Sequence, residues 1–562
     1  MERYLSQKNR ILYSFIAIVL GTLLTLVMAD TAKGQTPDSS GTDFWLTFPI
    51  DLKEGVTTLF LFVTGTTDTT GTVSIPGQGF STNFSVTAGE ITTISIPVAN
   101  GQLSNLSDNV ENKGIHVQAQ AEITVYGLSR QKVITDAYLG LPTDILGTEY
   151  MVLSYETIAS FFLGTSQFAI VGSENGTTVT ITPSVTTGTR PAGVPYSINL
   201  EQGQVYQLRN TTSTADLSGT IITADKPIAV FGSHSCAHVP VGFRFCDYLI
   251  EQLPPISTWG REFVTLPLAT RKKGDTFRFL ASMDGTTVHV NGTLVATLNR
   301  GEFYEQIITE PAQINANQPI LVGQYSNGSE FDNVTSDPFM MLIPPFEQFL
   351  NSYTVASPAN GFKNNYINVV ASTAAVGSIT LDGAIIPPTS FVPIGTSGFS
   401  GAQVIVDLGT HNLAGPLPFG VFVYGYDAYD SYGYPGGASL APVAQATQLT
   451  VTPKNATHPV GTEQCVTATV TDQNDEPLAG IRADFEVNGD NTTSGFAFTD
   501  AEGQARYCYT GVNSGTDSII ASISILSDTA TKIWKSGLPS NYTVYLPIIL
   551  READQFEIPI DP

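Results

Sequence analysis

The chain has 562 residues, too many for one core, and Asp, Glu, Lys and Arg together make only 13% of it; at about 150 residues per domain this suggests roughly four domains. A formal net charge of -25 at pH 7 excludes nucleic-acid binding, since no cluster of cations is present to neutralise several phosphates. Charged faces at helical spacing are scarce, and short apolar runs broken by Gly, Asn, Asp and Pro predict an all-β protein.

At the N-terminus, Arg3, Lys8 and Arg10 precede an apolar stretch from Ile11 to Ala29 that ends in Val27-Met28-Ala29. This describes a secretory signal over residues 1–29, cleaved or kept as an anchor, followed by a polar linker over 30–40. The rest is then exported, to the cell surface or the medium, and membrane contact follows only if that segment is retained. Four cysteines fit an oxidising compartment. Cys236 with Cys246 and Cys465 with Cys508 is the economical pairing, one of the three connectivities that four cysteines allow.

From Gly41 the chain repeats. The strand GTDFWLTFP recurs as GTEYMVLSY from Gly147, GREFVTLPL from Gly260 and NSYTVASP from Asn351. A second alternating strand follows each: LFLFV from Leu59, QFAIV from Gln167, TFRFL from Thr276 and YINVV from Tyr366. Its inward pairs are expected to be Phe60/Phe62, Phe168/Ile170, Phe277/Phe279 and Ile367/Val369. A turn (Asn175-Gly176 and Asp284-Gly285 in the middle copies) leads to a third strand, TVSI, TVTI, TVHV or SITL. Later come ITVYG, IAVFG, ILVGQY and VFVYG, then a closing step at Leu141-Pro142, Leu253-Pro254-Pro255, Ile343-Pro344-Pro345 and, more weakly, Ala441-Pro442. Four modules are expected, at roughly 41–146, 147–259, 260–349 and 350–443. They are read as tandem β-sandwich-like units, with a propeller-like ring as the alternative packing.

Residues 446–532 change character. Strands of five to seven residues at even spacing predict an immunoglobulin-like sandwich, with Cys465 and Cys508 on its second and sixth strands. Alternation puts Val466, Ala468 and Val470 on the core face, as it does Ala505, Tyr507 and Tyr509, so both cysteines fall off that face. The tail 533–562 holds an apolar patch over 544–550, too short to span a bilayer and read as a docking strand, with a surface-sorting tag as the alternative.

Taken together, GTDFWLTFP, SHSCAHVPVGFRFCDYLIEQLPPISTWGREF and VFVYGYDAYDSYGYPGG resemble the N-terminal domain of IgGFc-binding proteins over about residues 41–443. The motifs VGTEQCVTATVTDQNDEPLAGI and TDAEGQA are similar to bacterial immunoglobulin-like group 1 domains of the invasin and intimin type. These resemblances imply extracellular recognition or adhesion. The Fc ligand in the family's name is not carried over, because the cysteine-dense modules of the animal member are missing from a chain with only four cysteines.

Function is expected where the copies differ, in the loop between the VYG-type strand and the closing step. In the fourth copy Tyr426, Tyr429, Tyr432 and Tyr434 alternate with Asp427, Asp430 and glycines, a composition suited to contact with protein or sugar. These six residues are the candidate ligand contacts, against the alternative that the rings pack down on the sheet. His234, Cys236 and His238 have zinc-ligand chemistry, but a disulfide at Cys236 outweighs it and no metal or cofactor is expected. Asp427 and Asp430 match no calcium-loop spacing. Asp43, Glu149 and Glu262 occupy one slot in three copies, which argues against a glycosidase pair. The reading is a non-enzymatic adhesion protein for an extracellular glycoprotein or polysaccharide. Its rivals are a structural matrix component and a carbohydrate-active enzyme.

Overall fold

The computed structural model describes residues 38–536 apart from 53–54, 56, 159–163, 358–361, 441–445, 447, 473–474, 476, 479–480, 501 and 524–525. The signal segment, residues 30–37 of the linker, the Ala441-Pro442 step and the tail from 537 lie outside the described residues. The chain divides after Val443 into two compact parts. Both are built almost wholly of strands, so the all-β fold holds.

In the N-terminal part four sheets follow one another with one strand order. Each is organised on a long strand: Ile115–Gln131, Ile221–Ala237, Ala312–Ser326 and Gly409–Asp427. The third strand of the module and an opening strand flank its first half; the second strand and an inner strand flank its second half. The opening strands are Gly41–Leu46, Gly147–Met151, Gly260–Thr265 and Leu350–Ser357. Phe44, Tyr150, Phe263 and Tyr353 occupy one register position, opposite Val117, Ile222, Ile314 and Leu413, and all four are buried. Each opening strand also slips register after its first residue, against a bulge midway along the long strand. In the second and third copies that bulge contains Pro227 and Pro319, where a residue without an N–H must interrupt the ladder.

Both faces of the second strands are covered, which goes beyond the inward pairs expected from alternation. Leu59, Leu61 and Val63 enter a core shared with Ala169, Val171 and Phe231 of the second module. Phe62 enters another, shared with Val355, Val369 and Tyr434 of the fourth. The second and third modules share a core through Phe168, Ile170, Leu280 and Tyr325. The third and fourth meet where Ala269 N–H donates to Tyr424 Oη at 2.9 Å and Gln403 Nε2 donates to the Pro267 carbonyl at 2.7 Å. Each sheet therefore packs face to face with both neighbours, sandwich fashion, and the four close into a ring. The ends meet at the first–fourth joint: Ser39 N–H donates to the Ala438 carbonyl at 2.8 Å, and Asp38 bridges to Ser439.

Inner strands Ile134–Leu139, Asp247–Leu253, Phe339–Ile343 and Asp430–Pro435 stand side by side around the axis of this ring, each touching the next. The Asp136 carboxylate sits among them and accepts a backbone N–H from all four: Ala137 at 2.8 Å, Ile250 at 3.0 Å, Met340 at 3.2 Å and Gly433 at 3.4 Å. Burial pushes this carboxyl well above the usual carboxylate range, against the pull of the four N–H groups.

The C-terminal part has a three-stranded and a five-stranded sheet. Val451, Val466, Ala468 and Val470 of one pack on Phe485, Val487, Ile519 and Trp534 of the other. Cys465 and Cys508 stand directly opposite each other on neighbouring strands of the smaller sheet, bonded at 2.08 Å and half-buried, off the core face as alternation predicts.

Candidate functional site

The long strand turns into the inner strand at one end of the ring, and the four connections differ. The first is the tight turn Lys132-Val133, and the fourth is Ala428-Tyr429. The second spans 238–246 and is closed at its base by the Cys236–Cys246 disulfide, 2.01 Å; the third spans 327–338. They meet over the axis. Phe243 stacks edge-on to Phe331 at 5.0 Å, Phe245 lies 4.7 Å from Tyr429, and Gly328 N–H donates to the Val239 carbonyl at 2.7 Å. Ser431 Oγ donates to the Asp337 carbonyl at 2.7 Å. Val133, Phe245, Asp337 and Tyr429, one from each module, line a single cavity of about 250 Å³.

Every one of these connections carries a non-glycine residue at positive φ: Val133 (61°), Phe245 (69°), Asn333 (55°) and Tyr429 (57°). Asn tolerates this conformation, but for Val, Phe and Tyr it costs about 1 kcal/mol or more. At Lys132-Val133 and Ala428-Tyr429 the positive angle falls on the second turn residue, where Gly or Asn relieves the strain. The strained residues are also exposed: Val133 40%, Phe245 45% and Tyr429 48%. A bulky side chain kept in a strained turn and turned to solvent contributes little to folding.

The six candidate contacts divide. Tyr429 is exposed and Asp427 is partly so, its carboxylate 3.6 Å from Lys363 Nζ. Tyr426, Tyr432 and Tyr434 are no more than 2% exposed and Asp430 is 8% exposed, which corrects the expectation that they form an outer surface. The reason lies in the ring. The strand Asp430–Pro435 is buried on both faces, so alternation there separates two interiors instead of core from solvent. Tyr432 donates to Asn365 Oδ1 at 2.9 Å, and Tyr434 lies 4.7 Å from Tyr126 across the first–fourth joint.

Both ring nitrogens of His234 already have partners. It is fully buried, its Nε2 lies 3.1 Å from the Glu156 carbonyl, its Nδ1 accepts the Cys236 N–H at 3.1 Å, and burial lowers its pKa to about 3. Among the described residues no three His, Cys, Asp or Glu side chains converge to hold a metal ion. Asp43, Glu149 and Glu262 sit in three separate modules at one register position. Residue patterns missed Phe245, Val133 and Asp337. All three lie in the variable loops where function is expected, but only Phe245 carries a signal of its own, the Phe-Arg-Phe-Cys run.

An all-β, disulfide-bonded ring of four like modules, with unlike loops gathered over one end of its axis, is the class that fold and site define. The model of the family described as "IgGFc binding protein" matches residues 136–425, more than half of the chain, and the chain belongs to that family. A human protein named IgGFc-binding protein is 29% identical over 364 residues, which cover 63% of this chain and 6% of that protein. This chain thus spans a small fraction of the relative's length. Among solved structures, the D0-D1 domain of intimin is 15% identical, covering 32% of this chain and 86% of its own, with a TM-score of 0.13. The copper-containing nitrite reductase of Thermus scotoductus SA-01 is 12% identical, covering 52% and 95%, with a TM-score of 0.12.

Proposed function

We propose that this chain is an exported, non-enzymatic recognition protein that binds an extracellular glycoprotein or polysaccharide through the loops over its ring axis. One observation carries the reading: loops from all four modules meet there, and three of them hold a bulky apolar or aromatic residue in a strained, exposed conformation. Strain of this kind persists where the rest of the structure enforces it, and it gathers at ligand-contacting sites. Tyr429 and Asp427 remain in the contact set, joined by Phe245 and Val133. The family's name, that of a binding protein, and the two disulfides fit this reading. Residues 446–532 are read as an immunoglobulin-like spacer of the invasin and intimin type, on the motifs that carry that resemblance.

Retention on a glycan and glycoprotein array that includes IgG Fc tests it, with Phe245→Ala and Tyr429→Ala as comparison. Selective retention by the native chain, lost at least tenfold in both variants while their melting temperatures stay within a few degrees, is the expected result. Release of sugar would point to an enzyme. No retention of anything would leave the structural role, and retention untouched by both variants would move the site elsewhere.

A further inference from the structure

One residue lining the cavity under the four loops is unlike most of the others. Leu52, Val133, Phe245 and Tyr429 make most of its lining, His238 and the disulfide-bonded Cys246 belong to it too, and Asp337 joins it from the third loop. Asp337 is 1% exposed, and its Oδ1 has no hydrogen-bond partner among the described residues. Behind it stand Asp247 and Asp430, the first residues of two inner strands, each also with one carboxylate oxygen lacking a partner. The Arg271 charge acts on Asp337 from a distance, while its Nη2 lies 2.9 Å from Asp332. Burial and Asp430 push the Asp337 carboxyl above the usual carboxylate range against the pull of Arg271, so an unpartnered carboxylate oxygen there is costly, and it lies beside two aromatic rings in contact at 4.7 Å.

A metal ion is a poor match, since among the described residues no three ligating side chains converge. An organic cation matches all three features. Its head is taken up by the carboxylate, its apolar stem by the aliphatic wall, and the faces of Phe245 and Tyr429 attract its charge. The volume, about 250 Å³, suits one side chain. A net charge of -25 draws a basic partner in from a distance.

Resting on the recognition reading above, we propose that this cavity is a cation-specific subsite that takes one exposed arginine or lysine side chain of the protein partner, with Asp337 as its acceptor. The partner is then a protein with a basic contact residue, and a purely neutral polysaccharide does not fill the site.

The test is an NMR titration of the full chain with Nα-acetyl-arginine amide, Nα-acetyl-lysine amide and Nα-acetyl-citrulline amide, the last matching arginine in shape without its charge. Saturable shifts with arginine or lysine, and binding at least tenfold weaker with citrulline, are expected. Asp337→Asn is expected to abolish the difference. Should that variant fail to fold, the comparison of arginine with citrulline on the native chain decides alone. Equal affinity for arginine and citrulline overturns the proposal, as does no binding of any of the three. So does calcium chloride giving the same saturable shifts in the native chain but not in the variant, which would make the site a metal site. Loss of array retention in Phe245→Ala and Tyr429→Ala, with Asp337→Asn and added arginine amide without effect, overturns the cation subsite and leaves the recognition surface standing.

Discussion

Single residues in this ring are set by burial on all sides. Asp275 is wholly buried; its Oδ2 accepts the Leu268 N–H at 2.7 Å and Gln324 Nε2 at 3.1 Å. Burial, partly offset by these bonds and by Arg271, raises its pKa from 3.8 to about 7. The native state therefore keeps a proton that the unfolded chain releases. The stabilisation is full below pH 3.8 and is lost as pH rises toward about 7. Asp275→Asn is expected to reduce the fall in stability over that window by up to about 1.4 kcal/mol per pH unit. Urea unfolding of both proteins at pH 5 and pH 7 reads the slope whatever the substitution costs in itself, and parallel slopes would refute the assignment. The same crowding explains why three of the four tyrosines of the fourth loop pack down on the sheet, the alternative that their sequence leaves open. Tyr426, Tyr432 and Tyr434 sit in a Gly- and Asp-rich stretch that reads as surface, and only the closed ring buries both faces of their hairpin. Partners on another module leave no mark in local sequence.

Among elements, the opening strand and the end of the inner strand fit each other by size. A Cβ on Gly41 would lie 2.3 Å from Pro142 Cβ, one on Gly147 2.6 Å from Pro255 Cβ, and one on Gly260 2.4 Å from Pro345 Cβ. The glycine that opens the repeat and the proline that closes it thus form one contact in three modules. In the fourth the sizes are exchanged: Leu350 holds the opening position, and Gly437 stands two residues beyond the inner strand. Gly260→Ala forces Pro345 to move in a packed joint and is expected to cost about 1–3 kcal/mol. A thermal melt checks it, and an unchanged midpoint would mean that the joint can give way. Much of this level was legible in advance, because strand alternation, turn glycines and closing prolines are local signals repeated four times. The bulge on the long strand was less so. Its prolines were visible, but only the register shows that both halves of one strand pair with different partners.

For the whole N-terminal part, closure decides how it should fail. In an open row of repeats, removing an end copy breaks one interface and leaves the others intact. Here the fourth module covers Phe62, Tyr126, Leu128 and Leu139 of the first, and it also packs on the third through Tyr424 and Gln403. Deleting residues 350–443 breaks both joints and removes the Gly433 N–H from Asp136. Each large apolar side chain uncovered costs about 1.5–3 kcal/mol, and several uncovered together match the 5–15 kcal/mol that a folded protein typically has in hand. The shortened chain should therefore lose cooperative melting and bind an apolar dye, whereas the intact chain should unfold its four modules in one transition. Hydrogen exchange locates the effect. If closure holds the ring together, amides of the long strand Ile221–Ala237, which touches neither cut edge, should lose protection along with those of the first module. A three-module protein that melts cooperatively near the native midpoint, with that strand still protected, would show that the modules stand in a row and that the contact of Ser39 with Ala438 merely decorates its ends.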